Sequence, residues 1–523
     1  MAAQTGIKGA EGSGAAGRTA GLNRSAGPLA ERSGNPARLA PVATGVAGLD
    51  RILRGGIPAG SVVLLAGSPG TGKTTLGSQF AFRYAASDGS AVFATVMAES
   101  HDRMLMNLSG FEFFDRSLAG TRIQYLSLLP ALEEGGLDGF LAATRGFMRE
   151  HDATLLVIDG TTVIEDFAES PIDYRRFVHR LQVQSMLLGW TTLLLTNRRS
   201  ELIDEIATHV DGLIHMQREP VGARVVRTIE IAKLRDTNHL TGRHEFMITP
   251  AGIDVCPRLE AALADAPPPV EATGERLAFG VPSLDHMLGG GLLPGSSTLL
   301  LGTPGAGKTI MGLHFVMAGA ERGERTLVAG LQESPERLVA TAAGIGLDLG
   351  RHVDAGTVRI LWRQPLELSP DAWAWQLINA VEEHRPARLF VDTLTDVQRR
   401  MFMPERLTDF MTALANELRT AGVTTLFAAE LDTVVGPELS VPFPAVSALL
   451  DNAIVLRHFE LESRLQRLIS VLKVRQSGFD PTIRAFVIED QGINVGDVFI
   501  GAAALLTGVP VPTHSDIWTP GTS

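Results

Sequence analysis

Short runs of β-branched and aliphatic residues recur along this chain, separated by stretches whose apolar positions follow helical spacing. The first such run is SVVLLAG, followed by a helix through Phe80. AVFATVM, a helical region, TLLVIDG, a helix from about Arg175 to Leu188 and TTLLLTN come next. Further along, STLLLGT, RTLVAGL, ARLFVDT and TTLFAAE repeat the order. Short buried runs alternating with helices predict βαβ units and a mostly parallel sheet. Each series closes on a further strand-like run, RTIEIAKL in the first and RLISVLKV in the second.

The two series are copies. TGVAGLDRILRGGIPAGSVVLLAGSPGTGKTT matches FGVPSLDHMLGGGLLPGSSTLLLGTPGAGKTI. Gly45 and Gly280, Asp50 and Asp285, and Lys73 and Lys308 each lie 235 positions apart. A period this long marks a duplicated domain, not a solenoid. Between the copies, ADAPPPVEATGE is proline-rich and reads as an extended, semi-rigid linker. The expected organisation is a tail over 1–38, a first domain over 39–260, a linker over 261–272, a second domain over 273–500 and a C-terminal tail over 501–523. The first tail is rich in Gly, Ala, Ser and Arg and lacks apolar periodicity, so it is expected to be disordered. The fold class is α/β: two tandem domains, each a mostly parallel sheet flanked by helices.

Composition narrows the functional classes. The chain of 523 residues is 45% hydrophobic and 20% charged, as in water-soluble globular proteins. It has no apolar run long enough for a membrane helix and no N-terminal apolar core of a signal peptide, so no membrane association is expected. Its one cysteine, Cys256, rules out an internal disulfide and fits a reducing cytoplasm. A net charge of −12 argues against a dominant nucleic-acid partner, since phosphate-backbone binding calls for a basic face.

The chemistry lies after the first strand of each copy. Gly67, Ser68, Pro69, Gly70, Thr71, Gly72, Lys73 and Thr74, with Thr75 behind them, fit the phosphate-loop pattern G-x4-G-K-[ST]. So do Gly302, Thr303, Pro304, Gly305, Ala306, Gly307, Lys308 and Thr309, with Ile310 behind them. The glycines let backbone N–H groups curl around phosphates, and the following helix N-terminus adds positive potential. Lys73 and Lys308 are expected to neutralise the β- and γ-phosphates of ATP, and Thr74 and Thr309 to ligate Mg²⁺. Asp159 and Asp392 end buried apolar strands, where a carboxylate can hold the metal's water shell; each could instead cap the next helix. Glu99 and Glu333 follow the next strand and could orient a water for attack on the γ-phosphate, or be exposed carboxylates at a helix start. Lys233 with Arg235, and Lys473 with Arg475, place two cations on one strand face, which suits phosphate contact as well as a solvated edge.

From about Ala43 to Pro512 the chain resembles the KaiC family within the wider RecA-like ATPases. The resemblance rests on TGVAGLD with GGIPAGS, both phosphate loops, AES and QES, the two Asp strands, and KLRDTNHLTGRHEFMIT. It implies two RecA-like lobes per chain stacked into a double-ring homo-hexamer, with ATP at subunit interfaces and slow hydrolysis. It also implies regulatory protein partners and, in some members, autophosphorylation. Under it Glu99 and Glu333 match the second of two paired catalytic glutamates, and the Lys-x-Arg pairs match cations that act on a neighbouring subunit. The chain departs from clock KaiC in two places. Ala98 and Gln332 stand at the first positions of the glutamate pairs, and the phosphoacceptor Ser-Thr pair reads Ser447-Ala448. Ser447 is thus a phosphosite candidate, with a plain helix-start serine as the simpler alternative.

Three functions follow. The first is a KaiC-like ATPase acting as a signalling or timing module, with serine autokinase activity as an extension. The second is a RecA- or helicase-like DNA-dependent ATPase. The third is a nucleotide-stabilised scaffold with negligible turnover, for which the incomplete glutamate pairs speak.

Overall fold

The computed structural model of the chain describes residues 40–96, 101–197, 206–267, 274–364, 369–431, 450–461 and 464–498. In the first copy the strands are β1 (Val62–Gly67), β2 (Ala91–Thr95), β3 (Ile123–Ser127), β4 (Leu155–Asp159), β5 (Thr191–Thr196), β6 (Gly212–Val221), β7 (Arg224–Leu234), β8 (Arg243–Thr249) and β9 (Gly252–Cys256). In the second they are β10 (Ser297–Gly302), β11 (Thr326–Gly330), β12 (Val358–Trp362), β13 (Arg388–Asp392), β14 (Thr424–Glu430), β15 (Asn452–Leu461), β16 (Arg464–Val474), β17 (Arg484–Glu489) and β18 (Gly492–Val498).

The two nine-stranded sheets have the same order, β3-β2-β4-β5-β1-β6-β7-β8-β9 and β12-β11-β13-β14-β10-β15-β16-β17-β18. Strands from β3 through β6, and from β12 through β15, pair in parallel. The remainder of each sheet is an antiparallel meander. The tandem α/β architecture with mostly parallel sheets is therefore as expected. The meander goes further than the single closing strand seen in each copy. Even its irregularity is duplicated, with register shifts between Leu213 and Ile214 and between Ala453 and Ile454.

The central strands are apolar on both faces because helices cover both sides. β1, β4, β10 and β13 are buried almost throughout. Local signals set the helix ends. Ser170 caps the helix Pro171–Leu188 by accepting from Asp173 N, proline opens it, and Gly189 closes it in the left-handed region. The repeated Asp50 and Asp285 are structural: Asp50 accepts from Thr44 N at 2.7 Å, and Asp285 from Phe279 N at 2.6 Å, fixing the entry turn of each lobe.

The two lobes meet through the end of the first meander. Leu259 is fully buried in the apolar core of the second lobe, among Trp373, Leu377 and Phe410. Its backbone N donates to Asp371 at 3.0 Å. Arg406 bridges Asp371 and Glu260, with Nη2 at 3.0 Å from Asp371 and Nε at 2.7 Å from Glu260. Trp375 Nε1 donates to Pro257 O at 2.8 Å, and Arg51 stacks over the Trp375 ring. Losing one member of such a buried ionic cluster costs about 3–5 kcal/mol, because the remaining charges stay desolvated.

Candidate functional site

The carboxyl ends of the parallel strands, the usual ligand position in open α/β sheets, carry the glycine-rich loop of each lobe. In the first lobe, β1 runs into the loop Gly67–Gly72 and then into the helix Lys73–Ala86. Gly72 has φ of 104°, a left-handed conformation that a side chain would strain, and the loop turns there into the helix. Gly307 repeats it at 101° before the helix Lys308–Ala320.

The lysines fold back over their own loops. Lys73 Nζ donates to Gly67 O at 2.8 Å and Ser68 O at 3.0 Å. Lys308 Nζ donates to Gly302 O at 2.9 Å and Thr303 O at 3.1 Å. Burial lowers both ammonium pKa values, opposed by Asp159 in the first lobe and by Glu430 and Asp392 in the second. The adjacent threonines reach the acids that end β4 and β13. Thr74 Oγ1 donates to Asp159 Oδ2 at 2.7 Å, and Thr309 Oγ1 to Asp392 Oδ2 at 2.6 Å. These pairs span 85 and 83 residues of sequence, so the sheet order, not local chain geometry, brings them together. Burial raises the Asp392 carboxyl, with Glu333 and Glu430 adding to the shift.

This donor set fits Mg²⁺ and ATP. A hydroxyl and a carboxylate within hydrogen-bonding distance suit a cation that keeps most of its water. Among the described residues no group of three His, Cys, Asp or Glu forms a closed cage. Space above Gly70 is open, with nothing within 4 Å of an added Cβ.

The other candidates are distributed unevenly. Glu333 is half-buried beside the second site, and its Oε2 is shielded yet meets no hydrogen-bond partner among the described residues. Its neighbour Gln332 donates Nε2 to the buried Asp396 at 2.8 Å. Glu99 and Ala98 lie outside the described residues, as do Ser447 and Ala448. Lys233 Nζ donates to Ala207 O and Val210 O at 2.6 and 2.7 Å, and Arg235 faces Asp211 at 3.7 Å. Lys473 Nζ donates to Leu450 O at 2.6 Å, and Arg475 faces Asp451 at 3.9 Å. Neither pair is beside its own phosphate loop. Lys233 pairs with Leu213, which pairs with Leu64, three residues short of Gly67. Lys473 pairs with Ala453, which pairs with Leu299, three residues short of Gly302. At ~3.3 Å per residue and ~4.8 Å per strand, each lysine backbone lies on the order of 14 Å from its own loop.

Two neighbours of the second loop escape a motif-based reading. His458 Nδ1 and Thr303 Oγ1 are 2.9 Å apart, and burial with nearby Arg467 and Lys308 lowers the imidazole pKa. Glu430 ends β14 directly beside Gly302. Its only sequence signal is a mismatch at the end of matched runs, TTLFAAE against TTLLLTN.

Comparison with known proteins agrees with this geometry. The family model "ATPase: KaiC" matches twice, over residues 42–260 and 277–498. The chain is 27% identical to the circadian clock oscillator protein KaiC of Picosynechococcus sp. over 92% of this chain and 95% of that protein. It is 27% identical to the circadian clock protein KaiC3 of Synechocystis sp. over 90% of this chain and 94% of that one. The KaiC protein of Thermostichus vulcanus is 26% identical over 92% and 93%. With both lobes matched and the loop, lysine and acid repeated in each, the chain belongs to the KaiC family of tandem ATPases.

Proposed function

We propose that the chain binds Mg-ATP at both phosphate loops, hydrolyses it slowly, and works as a cytoplasmic signalling or timing module whose partners respond to nucleotide state. The observation carrying this reading is the repeated hydrogen bond from loop threonine to strand-end acid, Thr74 to Asp159 and Thr309 to Asp392. Thr74 with Asp159, and Thr309 with Asp392, would hold Mg²⁺, whose charge would offset that of the phosphate oxygens. Lys73 and Lys308 exchange their carbonyl partners for phosphate oxygens. In the second site Glu333 receives the proton of the attacking water; the water oxygen bonds to the γ-phosphorus as the bond to the ADP oxygen breaks. The shielded, unpartnered Oε2 of Glu333 suits that role. Glu99 serves the first site by the family correspondence.

The Lys-x-Arg pairs act on a neighbouring subunit's nucleotide in a homo-hexamer. Their separation from their own loops supports this arrangement. Autokinase activity on Ser447 extends the reading through the family resemblance alone. Among the described residues no helix is long and apolar enough to cross a membrane.

Phosphate release tests the proposal. Lys73→Ala/Lys308→Ala is expected to lower turnover at least a hundredfold, and Glu333→Gln to remove about 10²-fold of the second site's share. Equal rates in wild type and the double lysine variant would sink the enzyme reading. Native mass spectrometry with ATP is expected to show six chains, and long incubation with ATP to phosphorylate Ser447; a monomer would remove the ring and an unmodified serine the autokinase.

A further inference from the structure

The two sites differ at one strand end. β14 lies between β13, which carries Asp392, and β10, which carries the phosphate loop. Glu430 is in register with Gly302, and the next residue, Leu431, donates its N to Gly302 O at 3.1 Å. The Glu430 side chain is mostly enclosed, with Arg399 at 3.8 Å as its ion-pair partner. In the first lobe Thr196 pairs with Ala66, so Asn197 stands where Glu430 stands. A neutral amide in one site thus corresponds to a carboxylate in the other.

The charge around the two lysines differs accordingly. Asp159 is the one acid acting on Lys73 among the described residues, whereas Glu430 and Asp392 both act on Lys308. The carboxyl end of a strand beside the phosphate loop faces the ligand position of an open α/β sheet. A carboxylate there opposes the charge that ATP carries and ADP lacks.

We propose that Glu430 is a specificity-determining residue of the second nucleotide site, disfavouring a nucleoside triphosphate relative to a diphosphate. The inference rests on the nucleotide reading of that site. At the effective dielectric of a protein surface, a like charge within several ångströms of a phosphate corresponds to a roughly tenfold effect on binding.

The test uses full-length protein carrying Lys73→Ala, so that only the second site reports. Equilibrium binding of a fluorescent non-hydrolysable ATP analogue and of fluorescent ADP is measured in saturating Mg²⁺. Adding Glu430→Asn is expected to tighten the triphosphate analogue roughly tenfold and ADP less than threefold. Arg399→Ala is expected to move the ratio the other way by about twofold, because it unmasks the carboxylate. An unchanged ratio in both variants overturns the proposal. Weaker triphosphate binding in Glu430→Asn also overturns it and makes Glu430 a ligand. The backbone N of Glu430 is held by Thr395 Oγ1 at 2.9 Å independently of the side chain, and Glu430→Gln serves as a second neutral variant. If Lys308→Ala leaves binding intact in this background, the site reading itself fails. If Lys308→Ala abolishes binding while Glu430→Asn leaves the ratio unmoved, only this inference fails.

Discussion

Leu155 and Arg388 occupy the same step of the same strand in the two lobes. Leu155 pairs with Ala91, and Arg388 with Thr326, at the start of the acid-bearing strand. Both side chains are completely buried. Leu155 lies in an apolar cluster with Phe80 and Phe93. Arg388 instead holds Glu324 at 2.7 Å and donates to Phe315 O at 3.1 Å, with its guanidinium over the Phe315 ring. Glu324 corresponds to Gly89, 235 positions earlier, so the acid and the base are both peculiar to the second lobe. The same sheet order tolerates either solution because the local environment supplies every partner the cation needs. The lobes are thus equivalent in backbone and distinct in charge, and the difference at Glu430 and Asn197 follows the same pattern.

The largest expected effect comes from breaking that buried pair. Arg388→Ala leaves Glu324 and two carbonyls without their partner and is expected to cost about 3–5 kcal/mol, whereas Leu155→Ala costs about 2–5 through a cavity. Urea unfolding of both variants checks this. A neutral Arg388→Ala would show that the second lobe does not depend on its ion pair.

The lobe junction gives a smaller, pH-dependent effect. Glu245 is pushed up to about 7 by burial and by Asp371, against a hydrogen bond from Ser369 and the charges of Arg406 and Arg224. The counterpart residue in the second lobe, aligned through Phe246 and Phe486, is Ala485. A raised carboxyl pKa means that the folded state binds the proton more tightly than the unfolded chain. Its contribution is present below about pH 4.5 and is lost as pH rises to about 7. Neighbouring His244, held down to about 4 mainly by burial, works in the opposite direction over pH 4 to 6.5. Glu245→Gln is expected to be more stable than wild type by about 2–3 kcal/mol at pH 8, with the gap closing towards pH 4.5. A gap independent of pH in thermal melts would remove this account of the junction.

The smallest effect distinguishes two equivalent glycines. A Cβ on Gly312 would lie 2.2 Å from the Phe390 ring, whereas one on Gly77 would lie 3.1 Å from Val157 Cγ1. Gly312→Ala is expected to cost about 1–3 kcal/mol by overpacking. Gly77→Ala should fall within about 1 kcal/mol of neutral, since the gain in helix propensity offsets the tighter fit. Equal losses in the two variants would mean that the helices pack alike on both sheets.

Much of this was readable from local pattern. The constant spacing of Gly45 to Gly280 and Lys73 to Lys308 disclosed the duplication, and alternating apolar runs disclosed parallel strands with helical crossovers. The phosphate loops are contiguous motifs, so their residues could be named without knowing the fold. The meander was only half visible. β6 and β15 carry mixed polar and apolar positions, and their membership depends on pairing with β1 and β10. The surroundings of Lys233 and Lys473 were invisible, because their carbonyl partners lie 26 and 23 residues earlier and meet them only across the sheet.

By itself, the sequence determined two α/β domains of the same order and the glycine-rich loop that opens each, because both depend on periodicity or contiguous spacing. Only the tertiary structure decided that Thr74 meets Asp159 and Thr309 meets Asp392, that Leu259 belongs to the second lobe's core, and that Glu430 stands beside Gly302. Those juxtapositions depend on strand order and register, which bring distant residues together through long-range pairing and leave no local signature along the chain.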